Sequence, residues 1–313
     1  VFSSPRAGSD RPLANAALAW TFVVIWGLGF VATKVALQYT SPLVFLVIRF
    51  GLGVLCLGAF ALVVPLEFPR QPRAVLHIVV AGLLMHAGYL SGSHYAQYLG
   101  MSAGTAALVL ASQPLITAVF ASVWMQESLR VRQWAGVALG LIGVMLVVWH
   151  KLDAHAIAGP SLLAILFSLT SIVIGSLYQR RFNAKVDLRA ASLIQFVACL
   201  VVLTPLAITV EGWHVRWSWQ LLAAAAFLVI GASIIALNAF NILMRRGQAA
   251  KVTGLMYLTP VVAVIAELAL FGVVPSLVSI LGMAVVCGGV ALMGQGKPAR
   301  ASLKAVVEPS PAR

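Results

Sequence analysis

Charge is scarce in this chain, and acid is scarcer. Of its 313 residues only 9% are charged and eight are Asp or Glu, where an ordinary soluble domain carries roughly a quarter charged residues. With 61% hydrophobic residues, the chain has too little polar surface to cover itself in water. Cysteine is also rare. Cys56, Cys199 and Cys287 stand alone in separate apolar runs, without a CxxC pair or a metal-ligand spacing, so they read as small apolar core residues and no metal is expected. The HExxH, GxSxG and Walker A patterns are all missing, and the ionisable residues form no carboxylate pair or nucleophile–base cluster by spacing. No hydrolase or ATPase constellation and no cofactor is therefore implied, and an intramembrane enzyme of scattered residues remains only as a remote alternative. The first apolar run is full length and lacks a small-residue cleavage site, so a cleavable signal peptide is not expected.

The chain has long apolar runs instead, each of about 18 to 24 residues with at most one charge inside, matching the roughly 20 residues that carry a helix across a hydrocarbon core. In lipid the backbone must satisfy its own hydrogen bonds, so the runs are expected to be helices. Spans are read at about 13–37, 42–64, 74–98, 103–125, 133–149, 159–179, 190–210, 220–243, 251–271 and 275–294. The expected class is an all-α integral membrane protein with ten transmembrane helices. Residues 1–12 form an N-terminal segment, and the basic 295–313 tail reads as disordered.

A net charge of +13 would point to nucleic acid in a soluble protein, but its distribution here gives topology. Arg6, Arg11, Arg70, Arg73, Arg130, Arg132, Arg180, Arg181, Lys185, Arg189, Arg245, Arg246 and Lys251 fall on the side of the N-terminus, with the four basic residues of the tail. The opposite side holds Lys151 and Arg216, while Lys34 and Arg49 fall inside spans. The positive-inside rule then places both termini in the cytoplasm, with lipid as the first partner and no role for nucleic acid; the expected location is a bacterial inner membrane.

The two halves, 13–150 and 151–294, look related. An offset of 146 takes Pro114 to Pro260, Gly136 to Gly282 and Gly143 to Gly289. Five helices per half, an odd number, require the second copy to insert upside down. Basic residues swap sides accordingly: Arg130 and Arg132 correspond to Ser276 and Val278, and Arg245-Arg246 to Leu99-Gly100. Inverted repeats are common in alternating-access carriers, whose site lies near the midplane.

The order of several short motifs adds a family resemblance. Trp26-Gly27-Leu28-Gly29-Phe30-Val31-Ala32-Thr33-Lys34, Pro42 and Arg49-Phe50 open the first half. Tyr95-Ala96-Gln97-Tyr98, Ser102-Ala103, Pro114 and Glu127-Ser128-Leu129 follow, and Ile174 to Arg181 open the second. Together, over roughly 13–294, they resemble the EamA type of the drug/metabolite transporter superfamily. The second copy departs from the pattern at Val273, where a counterpart of Glu127 would stand. The resemblance implies a ten-helix bundle around a central cavity and secondary transport, usually export of amino acids or related metabolites, with the aromatic amino acid exporters as one such group. It does not fix the solute.

Several residues are candidates for the solute site. Pro114 and Pro260 each remove a helix hydrogen bond, freeing the carbonyls of Leu110 and Met256, and interrupted helices point to carrier sites. Gln113 and Tyr257 lie beside these breaks. In the third span His86, Tyr89, Ser93 and Gln97 recur at helical spacing as one polar stripe, either a cavity face or interhelical contacts. Asn238 and Asn241 in the eighth span are similar, and Trp26 is an aromatic candidate. Lys34, Arg49 and Glu267 are candidates for gating or coupling. Arg49 and Glu267 lie at similar depth and suggest a pair at the outer mouth, with Lys34 snorkelling to the headgroups and Glu267 the only acid within a span. A midplane carboxylate, which a cationic-drug antiporter would use, is missing. That favours a zwitterionic or neutral solute over the multidrug alternative, and a monomer is compatible with everything above.

Overall fold

Without water to bond, the backbone of the apolar runs closes on itself. The computed structural model describes residues 10–124, 130–153, 159–183, 186–236, 239, 242–243 and 258–294. In it the runs form α1 (Asp10–Ala36), α2 (Pro42–Val63), α3 (Pro72–Tyr98), α4 (Ala103–Ala111 and Gln113–Trp124), α5 (Val131–Asp153), α6 (Gly159–Phe182), α7 (Leu188–Glu211), α8 (Trp219–Ala226 continued by Phe227–Ala236), α9 (Thr259–Phe271) and α10 (Leu277–Gly294). Six of these (α1 to α4, α6 and α7) are long and apolar enough to cross a membrane, and the other four are shorter apolar helices. No strand occurs among the described residues, where the one isolated backbone bridge joins Thr40 to Val215.

Local chemistry sets the helix ends. Pro42 and Pro72 occupy first turns, where a missing N–H costs nothing. Ser102, Asp187 and Ser218 cap α4, α7 and α8 by accepting from the N–H groups of Thr105, Arg189 and Leu221. Gly272, at φ 65°, takes the left-handed turn that ends α9, its N–H donating to Leu268 O. Outside the helices the Asp187 carboxyl is held below its ordinary range, chiefly by its hydrogen bond from the Arg189 side chain.

The offset of 146 reappears in the packing. It relates α2 to α7, α4 to α9 and α5 to α10, and each of these helices packs on its own counterpart. The backbones come close where α5 crosses α10. A Cβ on Gly289 would stand 2.5 Å from Gly140 N and 2.6 Å from Gly136 O, and one on Gly143 would stand 2.9 Å from Gly282 O. Small residues let the backbones meet where lipid offers no hydrophobic drive for association. Gly289→Leu is therefore expected to force the two helices apart, at about 1–3 kcal/mol or more. Thermal unfolding in detergent should show a clearly lowered midpoint, and an unchanged midpoint would contradict so close a crossing.

Two features went unread in the sequence. Residues Leu83–Gly88 of α3 and Phe227–Ala236 of α8 are wound as π-helix, and the offset of 146 places the first stretch inside the second. Such wide turns shift side chains around the axis and gather at functional sites. In addition α7 runs on through a π turn to Glu211. Glu267 is therefore not the only acid in an apolar helix, as the expected boundary at 210 had made it.

Candidate functional site

Near the middle of the helices lies a cavity of about 270 Å³, close to the lower end of the roughly 300–1,000 Å³ usual for small-molecule pockets. Most of its wall is apolar. Trp26 and Phe30 come from α1, Phe50 from α2, Met85 from α3, Ile172 from α6, Phe196 from α7 and Leu228 from α8. Gly53 allows the close approach of α7, because a Cβ there would lie 3.0 Å from the Phe196 ring.

The polar groups in this wall are few. Arg49 reaches it from α2, seven residues in from the start of that helix, and makes no hydrogen bond or ion pair among the described residues. His86 sits in the π turn of α3, edge-on to the rings of Phe50 and Phe196. A chain of side-chain amides holds its imidazole: His86 Nε2 lies 3.2 Å from Gln195 Oε1, and Gln195 Nε2 donates to Gln179 Oε1 at 3.1 Å. Tyr89 and Ser93 follow His86 along α3, and Gln113, Ser233 and Thr259 complete the polar set. Where α4 breaks, Pro114 has no N–H to offer the Leu110 carbonyl, and both residues line the cavity. Ser112 steadies the break by donating to Val109 O at 2.6 Å. No carboxylate is among the described residues of the wall.

The structure thus brings together Trp26, Arg49, His86, Tyr89, Ser93, Gln113 and Pro114. Gln97, the last member of the expected α3 stripe, is buried but one turn past the cavity. Pro260 is buried in the first turn of α9, and its neighbour Thr259 faces the cavity. Asn238, Asn241 and Tyr257 lie outside the described residues, as do Glu127 and the basic tail. Sequence reading passed over Gln195 and Glu211. A lone amide in the apolar run Leu193-Ile194-Gln195-Phe196-Val197 was the available signal for the first. Ser233 gave none, since hydroxyls are common in membrane helices, whereas Thr259 precedes Pro260 as Gln113 precedes Pro114.

Lys34 and Glu267 are placed differently from the expectation. They lie at the end of the bundle formed by the 37–41, 99–102, 212–218 and 272–276 connections, away from the central cavity. Lys34 Nζ meets Glu267 Oε1 at 2.5 Å and also lies over the Phe271 ring. Lys34 therefore turns inward to a buried acid instead of snorkelling. Glu267 also accepts from Ala103 N at 3.0 Å and Gly104 N at 2.9 Å, the first turn of α4, and its side chain is 3% exposed. With these partners the Glu267 carboxylate is occupied, and Arg49 belongs to the cavity rather than to a pair with Glu267.

Comparison with known proteins agrees with this architecture. The model of the EamA-like transporter family matches twice, at residues 14–149 and 159–295. The chain is 28% identical over 302 residues to the uncharacterized inner membrane transporter YedA of Escherichia coli K12, covering 95% of this chain and 96% of that one. It is 27% identical over 264 residues to a probable amino-acid metabolite efflux pump of Salmonella typhimurium LT2, covering 82% and 86%. A crystal structure 23% identical in sequence superposes with a TM-score of 0.64 over 90% of this chain and 97% of that chain, a likeness of fold alone.

Proposed function

Because this chain belongs to the EamA-like transporter family, we propose that it is a ten-span carrier exporting amino acids, large neutral or aromatic ones foremost, across a bacterial inner membrane. In this reading its two five-helix halves are inverted copies around the central cavity, both termini are cytoplasmic, and the solute crosses by alternating access. One chain encloses the cavity, so a monomer suffices.

The observation that carries this reading is Arg49 in a largely apolar wall, with no ion pair and no carboxylate beside it among the described residues. A lone guanidinium away from water attracts an anionic group, and a carboxylate suits its fork. The side-chain oxygens of Ser93, Gln113 and Ser233 in the wall can accept from an ammonium, and the surrounding rings accept an apolar side chain. The inner-membrane location and the amino-acid class follow the names of the E. coli and Salmonella relatives. A cationic-drug antiporter, the second reading, would use a carboxylate where this cavity presents Arg49.

The test is efflux from proteoliposomes loaded with a pool of labelled amino acids, without an imposed ion gradient. A few of them are expected to leave downhill, and Gln113→Ala or His86→Ala should slow release about fivefold, the worth of one hydrogen bond. If a folded protein releases none, the reading passes to drug-like cations.

A further inference from the structure

A second, partly buried carboxylate repeats the arrangement around Glu267. Glu211, at the end of α7, accepts from Leu43 N at 3.1 Å through Oε1, and through Oε2 from Leu43 N and Val44 N at 3.0 and 3.2 Å. The Tyr95 hydroxyl of α3 donates to it as well. Leu43 and Val44 are the first turn of α2. Glu267 stands about one turn before the end of α9 and holds the first turn of α4; Glu211 ends α7 and holds the first turn of α2. In both cases a carboxylate at or near the end of a second-half helix fills the N-terminal amides of the helix 146 residues earlier in register, where the helix dipole favours an anion.

These two helix pairs also wall the cavity from opposite halves, with Arg49 and Phe50 on α2 facing Phe196 on α7, and Gln113 on α4 facing Thr259 on α9. Both carboxylates tie their pairs together on one side of it. The same end is joined by the Thr40–Val215 bridge and by Arg216, whose N–H donates to Tyr39 O at 2.9 Å and whose guanidinium donates to Gln38 O. The two acids are not repeated at the offset positions: 146 residues before Glu211 and Glu267 stand Pro65 and Ala121, whose side chains hold no acceptor. By the charge distribution, the tied end faces outward.

We propose that Glu211 and Glu267 are the two latches of the outer gate, each holding a second-half helix end to the first turn of its first-half counterpart. With both fastened the carrier rests closed to the outside, and its cavity is loaded from the cytoplasm. Opening outward requires α2 to part from α7 and α4 from α9, so both carboxylates must leave their amides. Lys34 serves the Glu267 latch as counter-charge, and Tyr95 serves the Glu211 latch as a third donor. Neither residue touches the cavity, so both position the helices and do not bind solute.

The test reads access and does not depend on which solute is carried, so it can fail while the amino-acid reading stands, and the reverse. Ser93→Cys, in a chain whose three native cysteines are replaced, puts a thiol in the cavity wall. Intact cells are treated with a membrane-impermeant maleimide, and inside-out vesicles are treated in parallel. Glu267→Gln and Glu211→Gln should each raise labelling from outside by about tenfold, the shift expected when one charge-assisted hydrogen bond is lost, and lower it from inside. Tyr95→Phe removes a single donor without disturbing an amide, and should raise outside labelling by a smaller factor in a protein with an unchanged elution profile. Outside labelling at the parent rate in folded Gln variants and in Tyr95→Phe would overturn the proposal. An equal rise from both sides would also overturn it, because that is general loosening.

Discussion

Replacing Arg49 with methionine is expected to slow efflux of a carboxylate-bearing solute by about 10- to 100-fold. A hydrogen bond to a charged group contributes about 1.5–3 kcal/mol, and each 1.4 kcal/mol is about tenfold. Arg49 has no hydrogen bond or ion pair among the described residues, so its removal strands no buried carboxylate. The unfolding midpoint should therefore hold or rise while transport falls, a combination that a merely structural arginine would not give. Arg49→Lys should restore only part of the rate, because an ammonium lacks the planar fork that takes both carboxylate oxygens. Initial efflux rates of one released amino acid, with the melting curve of the same sample, decide the matter. An unchanged rate in Arg49→Met removes the arginine from the solute site.

Lys34→Met should have the opposite signature, a loss of stability. It leaves Glu267, 3% exposed in its side chain, with two backbone donors and no counter-charge. Breaking one partner out of a buried pair costs about 3–5 kcal/mol, and the quarter-exposed lysine puts this case near 3 kcal/mol. Adding Glu267→Gln to Lys34→Met removes the stranded charge while leaving an oxygen for one of the two amides of Ala103 and Gly104, so the double variant should regain part of the loss. Thermal unfolding of the two single variants and the double measures this coupling. Additive losses would mean that the ion pair at 2.5 Å does not stabilise the fold.

Lys34 and Arg49 also show how far sequence reading reached. Both were visible as charges inside apolar runs, and the cost of such charges marked them as functional. Which groups they face could not be read, because depth along a helix is countable from sequence but rotation about its axis is not. Arg49 and Glu267 were expected at similar depth, yet the arginine lines the cavity while the glutamate meets Lys34 on α1 and the first turn of α4 at the bundle end. Glu211 was missed for a simpler reason. The expected span closed at 210, one residue short, because an acid ends an apolar run; the π turn of α7 carries the helix through it. On α3 His86, Tyr89 and Ser93 line the cavity, while Gln97 shares their stripe but lies beyond it.

The sequence by itself determined that this chain is helical and belongs in a membrane, that its halves are related by an offset of 146, and that α4 breaks at Pro114. These follow from local causes: hydrogen bonds closed within one helix, hydropathy summed over one run, and an N–H missing from one residue. Only the tertiary structure decided which charges meet, which polar groups face the cavity, and that two carboxylates fasten one end of the bundle. Those outcomes depend on how helices far apart in sequence rotate and approach one another, as Gly289 does against Gly140. Close packing of whole surfaces sets that arrangement, and no single segment encodes it.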